Sequence, residues 1–273
     1  MTLKDPVVNS AQSNHNGLLK PIPVTSFIAP TVFISDNGGS DSSSCLSYSP
    51  CLSFSKAQQE GVSAGYILNI QSSTTWKVNC VVTKPVTIQS DNGNKATLNL
   101  RNVTAAEDSN LRGFLRIAEA TRLDTIVLVL FQATTRVPFV TLTSDATLTI
   151  SNIEIKTHRT SGEMECTFQP AFSVRSGQLV IESLSFTTNP EFDAYPPIQL
   201  IGGSLVDESE NEVAMEVDYF GDRGWIEVEG DTTTSMYPDL KLKKWTFRGS
   251  SSPKKSHGLW LKNVEIGEWS LGR

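Results

Sequence analysis

A five-position pattern recurs along this chain and limits the kind of coil it can form. It runs apolar, apolar two residues on, polar two further, apolar at once, and apolar again two later. It stands as Leu148, Ile150, Asn152, Ile153 and Ile155, and again as Leu179, Ile181, Ser183, Leu184 and Phe186. It returns as Leu240, Leu242, Lys244, Trp245 and Phe247, then as Leu259, Leu261, Asn263, Val264 and Ile266, with a weaker copy at Leu98, Leu100, Asn102, Val103 and Ala105. Alternation with a period of two marks a strand with one buried face. The phase slip at the polar position means that the backbone bends there and the next apolar residue points inward again. Asn stands at that position in three of the five copies, and it enters the left-handed conformation of a one-residue corner more readily than other non-glycine residues. A hairpin would need a two-residue turn and a reversal. Strands that meet at a corner and keep facing one interior make a coil of a single-stranded parallel β-helix, right-handed as parallel crossovers nearly always are.

The copies start at 98, 148, 179, 240 and 259, which gives spacings of 50, 31, 61 and 19. A coil of roughly 20 residues fits the shortest spacing directly and the others through insertions and unmarked coils. The segments 125–132, 138–142, 171–174 and 198–201 supply candidates for the unmarked strands. No long amphipathic helix interrupts them, which excludes doubly wound and barrel α/β folds. A β-sandwich would explain the alternation but not the repeated slip. Residues 1–26 carry no periodicity and read as a tail or linker, leaving 27–273 as the β-helix domain. Within 27–61 a strand at 31–35 precedes a Gly/Ser loop and a short helix at 53–60, with Ser53 as its N-cap and Gly61 at its end. The chain ends at Gly272-Arg273 soon after the last copy, which predicts an uncapped edge that stacks end to end or continues into a longer protein.

Charge narrows the partners. The net charge of -6 argues against nucleic acid, which needs a concentrated basic surface. The longest apolar run, 125–131, is too short to span a bilayer, and the segment 1–26 lacks the basic-then-apolar order of a secretory signal. Cys45 and Cys51 bracket LSYSP in a Ser/Gly-rich loop whose flexibility lets the sulfurs meet; two free surface thiols are the alternative. Together with the Asn102 glycosylation sequon, such a disulfide would place the chain outside the cell or on its surface. Cys80 and Cys166 are isolated and read as buried small hydrophobes.

From TVFISDNGGSDSSSCLSYSPCLSFSKAQQEG (31–61) through YILNIQSSTTWKVNCVVTKPVTIQSDNGNKATLNL (66–100), the sequence resembles the opening region of right-handed β-helix proteins of the pectin-lyase-like superfamily. More narrowly, it is similar to polymorphic-membrane-protein-like and β-helix-repeat surface proteins of single-celled organisms. That resemblance implies a first strand, a Cys-bracketed loop and a helix capping the open end of the stack. It leaves function open, because one fold hosts many activities. Enzymes of the superfamily carry grouped carboxylates with a His-Gly loop, or clustered Asp ligands for calcium beside a basic residue. Here Ser256-His257-Gly258 has no Asn-Thr-Asp or Asp-Asp partner before it.

Two stretches are the candidates for chemistry. Asp207 to Asp231 holds Glu208, Glu210, Glu212, Glu216, Asp218, Asp222, Glu227 and Glu229, which could supply calcium ligands or a glycosidase pair, but without calcium-loop spacing it reads as a solvated alternating face. Aligning the last two full copies at an offset of 19 places Lys241 beside Trp260 and Lys243 beside Lys262, an outward face that would bind an anionic sugar polymer or the protein's own acids. Trp245 reads as core. His15, His158 and His257 are scattered, so neither a metal site nor a triad is expected, and no phosphate-binding loop or cofactor site is marked. The functional expectation is a non-catalytic surface or extracellular scaffold, adhesin-like, binding glycan or protein partners. The alternative is a polysaccharide lyase or glycoside hydrolase, degenerate or active.

Overall fold

The computed structural model describes residues 29–76, 80–101, 114–131, 137–158, 169–187, 191–192, 196–211, 213–215, 218–219, 224–230, 238–243, 245–247 and 257–262. The chain is a parallel β-helix with three walls. The first wall is an eight-stranded sheet of Thr31–Ile34, Tyr66–Ile70, Val86–Ser90, Thr121–Asp124, Thr147–Ser151, Gln178–Ile181, Ser204–Asp207 and Asp239–Lys241 in that order. The second has five strands, Ser73–Trp76, Ala96–Leu100, Ile126–Phe131, Ile153–His158 and Leu184–Phe186. Beyond it, the short strands Val213–Met215 and Trp245–Phe247 pair with each other. The third has seven, Cys80–Val82, Leu115–Ile117, Val140–Leu142, Phe172–Val174, Ile198–Leu200, Gly224–Glu229 and His257–Lys262. Each coil visits the walls in the order first, second, third, and every paired strand is parallel to its neighbour.

Alternation sends like residues inward at each level. On the first wall, Val32, Leu68, Ile88, Leu123, Ile150 and Ile181 stack in register. On the third, Cys80, Leu115, Val140, Phe172, Ile198 and Ile226 do the same. Nearly all of these side chains are fully buried, and each Leu or Ile so placed contributes roughly 1.5–3 kcal/mol of burial free energy. Cys80 is a buried core residue, and burial pushes its thiol up to about 12.

The corner from first to second wall takes the expected left-handed form in two coils, though not at Ser183. Asn152 sits there at φ 52°, and Thr125 holds the equivalent place one coil earlier at the same φ. The Asn152 amide donates to Thr125 Oγ1 at 3.3 Å, tying successive corners together. The return corner uses glycine: Gly177 and Gly203 lie at φ 74° and 67°, where a side chain would strike the carbonyls of Ala146 and Gly177 in the preceding coils.

Two readings of the repeat need correction. The copies at 148 and 179 do occupy the first-wall strand and its corner, and Leu240 lies on the first wall, but Leu98 and Leu100 lie on the second wall and Leu259 and Leu261 on the third. Coil length varies through insertions as expected: Leu148 is opposite Leu179, and Leu68 is opposite Ile88 whereas Ile88 is opposite Leu123, so the second coil is far longer than the first. The spacing of 19 between Leu240 and Leu259 joins two different walls and is no coil at all.

The N-terminal end is closed by two devices. Helix Phe54–Glu60 lays Phe54 and Ala57 on the open coil, with the Phe54 ring 4.6 Å from Trp76. Ser53 caps it by accepting from Lys56 N, and the Asp41 carboxylate accepts from Leu52 N and Ser53 N just before. The Cys45–Cys51 disulfide forms, and its loop covers the free edge of the first strand: Phe33 N donates to Cys45 O, Cys51 N to Phe33 O and Ser35 N to Cys51 O. An edge strand so covered offers no template for another chain.

Candidate functional site

With the core filled by aliphatic columns, any ligand site lies on the outer faces, where the remaining side chains also stack coil upon coil about 4.8 Å apart. The four residues predicted to share one face do not do so. Lys241 is on the first wall, where its ammonium pairs with Asp239 at 3.1 Å. Lys262 and Trp260 belong to the third wall, opposite Glu229 and Glu227, and Lys262 pairs with the Glu229 carboxylate. Lys243 is exposed at the corner after the first wall, and its backbone N–H is taken by Asp207. His257 opens a third-wall strand opposite Gly224 and is not in a loop.

The described part of the acidic stretch is also dispersed. Asp207 points inward at the end of the column that begins with Val32, opposite Ile181, and is 2% exposed. Its Oδ1 accepts from Ser209 N at 2.8 Å and from the Ser209 hydroxyl, while Oδ2 accepts from Lys243 N at 2.9 Å and Trp245 Nε1 at 2.8 Å. Burial alone would raise this carboxyl, and the hydrogen bonds outweigh it, holding the acid below the ordinary range. Asp207 is thus a staple between the last two first-wall coils, and Trp245 packs partly buried against the core as expected. Glu227 faces outward but is fully buried rather than solvated, and accepts from Gln199 Nε2 at 3.1 Å. Glu208 and Glu210 are exposed, and Asp218 opens a short strand opposite Glu191. Glu212, Glu216, Asp222 and Asp231 lie outside the described residues, as do Asn102, Cys166, His15 and Ser256.

The three outer faces differ in what they leave open. On the third wall, Arg116, Thr141, Ser173, Gln199 and Glu227 form a polar column, but Thr141, Ser173 and Glu227 are fully buried. The first wall carries an open groove of about 430 Å³ along its leading corner, floored by Ile67, Thr87, Arg122 and Thr149. Its cation is already committed: Arg122 donates twice to Glu182, at 2.8 and 2.6 Å, and once to Asp124 at 3.2 Å.

The second wall is different. Phe131 and His158 stand opposite each other at the outer end of adjacent strands, ring centroids 4.7 Å apart, and the Arg101 guanidinium lies 5.5 Å from the Phe131 ring on the other side. One column across three coils therefore reads Arg101, Phe131, His158. Arg101 and His158 are exposed, and neither side chain has a hydrogen-bond or ion-pair partner among the described residues. Beside them Glu154 is held by Lys156 at 2.8 Å and Lys95 at 3.8 Å. The hydrogen bonds from Lys156 and Thr187 keep its carboxyl below the usual range against the effect of partial burial.

No protein-family model, curated protein or solved structure matches this chain. The described residues include no cluster of three or more His, Cys, Asp or Glu able to hold a metal and no helix long and apolar enough to cross a membrane.

Sequence reasoning took His158 for a solitary histidine and passed over Arg101 and Phe131. Each follows an inward residue (Leu100, Leu130 and Thr157) at the outer end of its strand, a signal visible only once the three strands are in register.

Proposed function

We propose that this chain is a non-catalytic β-helix that binds an extended glycan along its outer wall, an adhesin-like surface or extracellular module akin in architecture to the pectin-lyase-like superfamily. The observation that carries this reading is the Arg101–Phe131–His158 column. It offers unused N–H donors on a rigid scaffold, whereas Arg122, Lys241 and Lys262 are closed on carboxylates of the chain itself. Side chains fixed by stacking lose little freedom on binding, which favours a ligand that runs from coil to coil. The dispersal of the described acidic residues supports binding over cleavage: Asp207 is spent inside, Glu227 is buried on the third wall and Glu229 is paired with Lys262. Two carboxyl groups flanking one bond are the usual requirement for glycoside hydrolysis. The Cys45–Cys51 disulfide suits an oxidising compartment.

The test is to pass the purified chain over immobilised neutral and acidic polysaccharides and to follow polymer length by size-exclusion chromatography. Retention without shortening, weakened in Phe131→Ala, is the expected result. Shortened polymer would overturn the non-catalytic reading in favour of a lyase or hydrolase. Absence of retention on every polymer would remove the glycan and leave a protein partner.

A further inference from the structure

We infer that the first-wall groove seats the chain's own N-terminal segment, with residues 23–28 lying along the helix axis across the first coils. The groove is lined from five successive coils, by Ala29, then Ala64 and Ile67, then Thr87, Ala120 and Thr149. Four steps of about 4.8 Å make it roughly 19 Å long. Arg122 on its floor is closed on Glu182 and Asp124, so the groove presents aliphatic carbon and threonine hydroxyls and suits an uncharged guest. Two facts name that guest. The described fold begins at Ala29, and Ala29 is itself part of the lining, so the residues before it are covalently held at the groove. The stretch that precedes it, 21–28 or PIPVTSFI, carries no charged residue.

Period and length agree with this seat. Strand and helix periods are absent from residues 1–28, but Leu18, Pro21, Val24 and Phe27 recur every three residues, the period of a polyproline II helix. Pro21 and Pro23 press Lys20 and Ile22 toward extended or polyproline backbone and oppose an α-helix there. Three residues of polyproline II advance about 9.3 Å, and two coils of the stack about 9.6 Å. Apolar side chains at that period meet the same point of every second coil. Counted back from Ala29 at about 3.1 Å per residue, Phe27 falls ~6 Å along the axis, level with Ala64 and Ile67. Val24 falls ~16 Å along it, level with Ala120. Seated in this way the segment closes the first wall to other partners, whether or not the second wall binds glycan.

Disulfide trapping in the full chain tests the seat. Val24→Cys combined with Ala120→Cys should bridge under oxidised glutathione at least tenfold faster than Val24→Cys combined with Thr97→Cys, whose second position faces outward on the second wall. Peptide mass mapping separates the new bridge from Cys45–Cys51. The rate should not depend on protein concentration. Adding Phe27→Asp to the first pair should slow bridging roughly tenfold, because a carboxylate would have to leave water for the groove. Phe27→Cys combined with Ala64→Cys repeats the measurement nearer the point of entry and should bridge as fast as the first pair. Equal rates at Ala120 and Thr97 would overturn the docking, as would a rate unmoved by Phe27→Asp. Failure of the Phe27 and Ala64 pair would overturn the proposed register. A bridge that links two chains and quickens with concentration would give the groove to a second copy and overturn the intramolecular occupant.

Discussion

Replacing Asp207 with Asn tests whether one buried carboxylate fastens the last coils of the stack. The change keeps the shape and exchanges one acceptor oxygen for an amide donor. An Asn in this site would keep its oxygen toward Lys243 N and Trp245 Nε1, because neither of those donors can accept, and turn its nitrogen toward Ser209. There the Ser209 hydroxyl can rotate to accept, but Ser209 N, now 2.8 Å from the carboxylate, would face an N–H and lose its partner. One orphaned buried donor costs about 1–3 kcal/mol, so Asp207→Asn should lose that much. Asp207→Ala orphans the N–H groups of Ser209, Lys243 and Trp245 and should cost more than Asn does.

Acid gives a second readout with a definite sign. The folded carboxyl lies below its unfolded value, so the charge contributes stability fully above the ordinary Asp range near 3.9 and loses it as pH falls through the folded value. The deficit of Asp207→Asn should therefore shrink below about pH 4. Urea unfolding across acid to neutral pH, combined with hydrogen exchange over 204–247, measures both effects. A loss under about 0.5 kcal/mol for Asn, the scatter of an ordinary surface substitution, would refute the staple, as would an Ala variant no worse than Asn.

Other expectations follow from single features. Thr125→Asn should raise stability by about 0.5–1 kcal/mol in thermal unfolding, since a β-branched residue at φ 52° gives way to one that tolerates it. Breaking the Cys45–Cys51 bridge, by reductant or Cys45→Ser with Cys51→Ser, should cost about 2 kcal/mol for so short a loop and promote self-association at the uncovered Thr31–Ile34 edge, read by light scattering. Glu182→Gln should cost no more than about 1 kcal/mol, and less in high salt, because both side chains of its bidentate pair with Arg122 are about one-third exposed.

The architecture was legible because its determinants are local. The alternation of Leu148, Ile150, Ile153 and Ile155 and the Asn152 corner are set within one short stretch, and they reappear in the structure as a strand, a left-handed residue and a second strand. Ser53, Gly61 and the intervening residues likewise fixed the capping helix from its own sequence. The same locality misled at Leu259 and Leu261. Third-wall strands also alternate, and a strand followed by Asn reads alike on either wall unless the coils between have been counted.

The Arg101–Phe131–His158 column was hidden for a related reason. Arg101, Phe131 and His158 are far apart in the chain, and the unequal steps from Leu68 to Ile88 and from Ile88 to Leu123 show that no fixed period exists to align them. A solenoid's outer face is a property of register, and register is settled by the inward residues: Leu98 on Leu128 on Ile155 brings Arg101, Phe131 and His158 into line without any of the three specifying it. The aliphatic stack can therefore keep its form while the outer column is free to change its chemistry. Asp207 shows the converse, an acid placed inward and consumed by the scaffold, which no count of carboxylates in the linear chain distinguishes from a catalytic one.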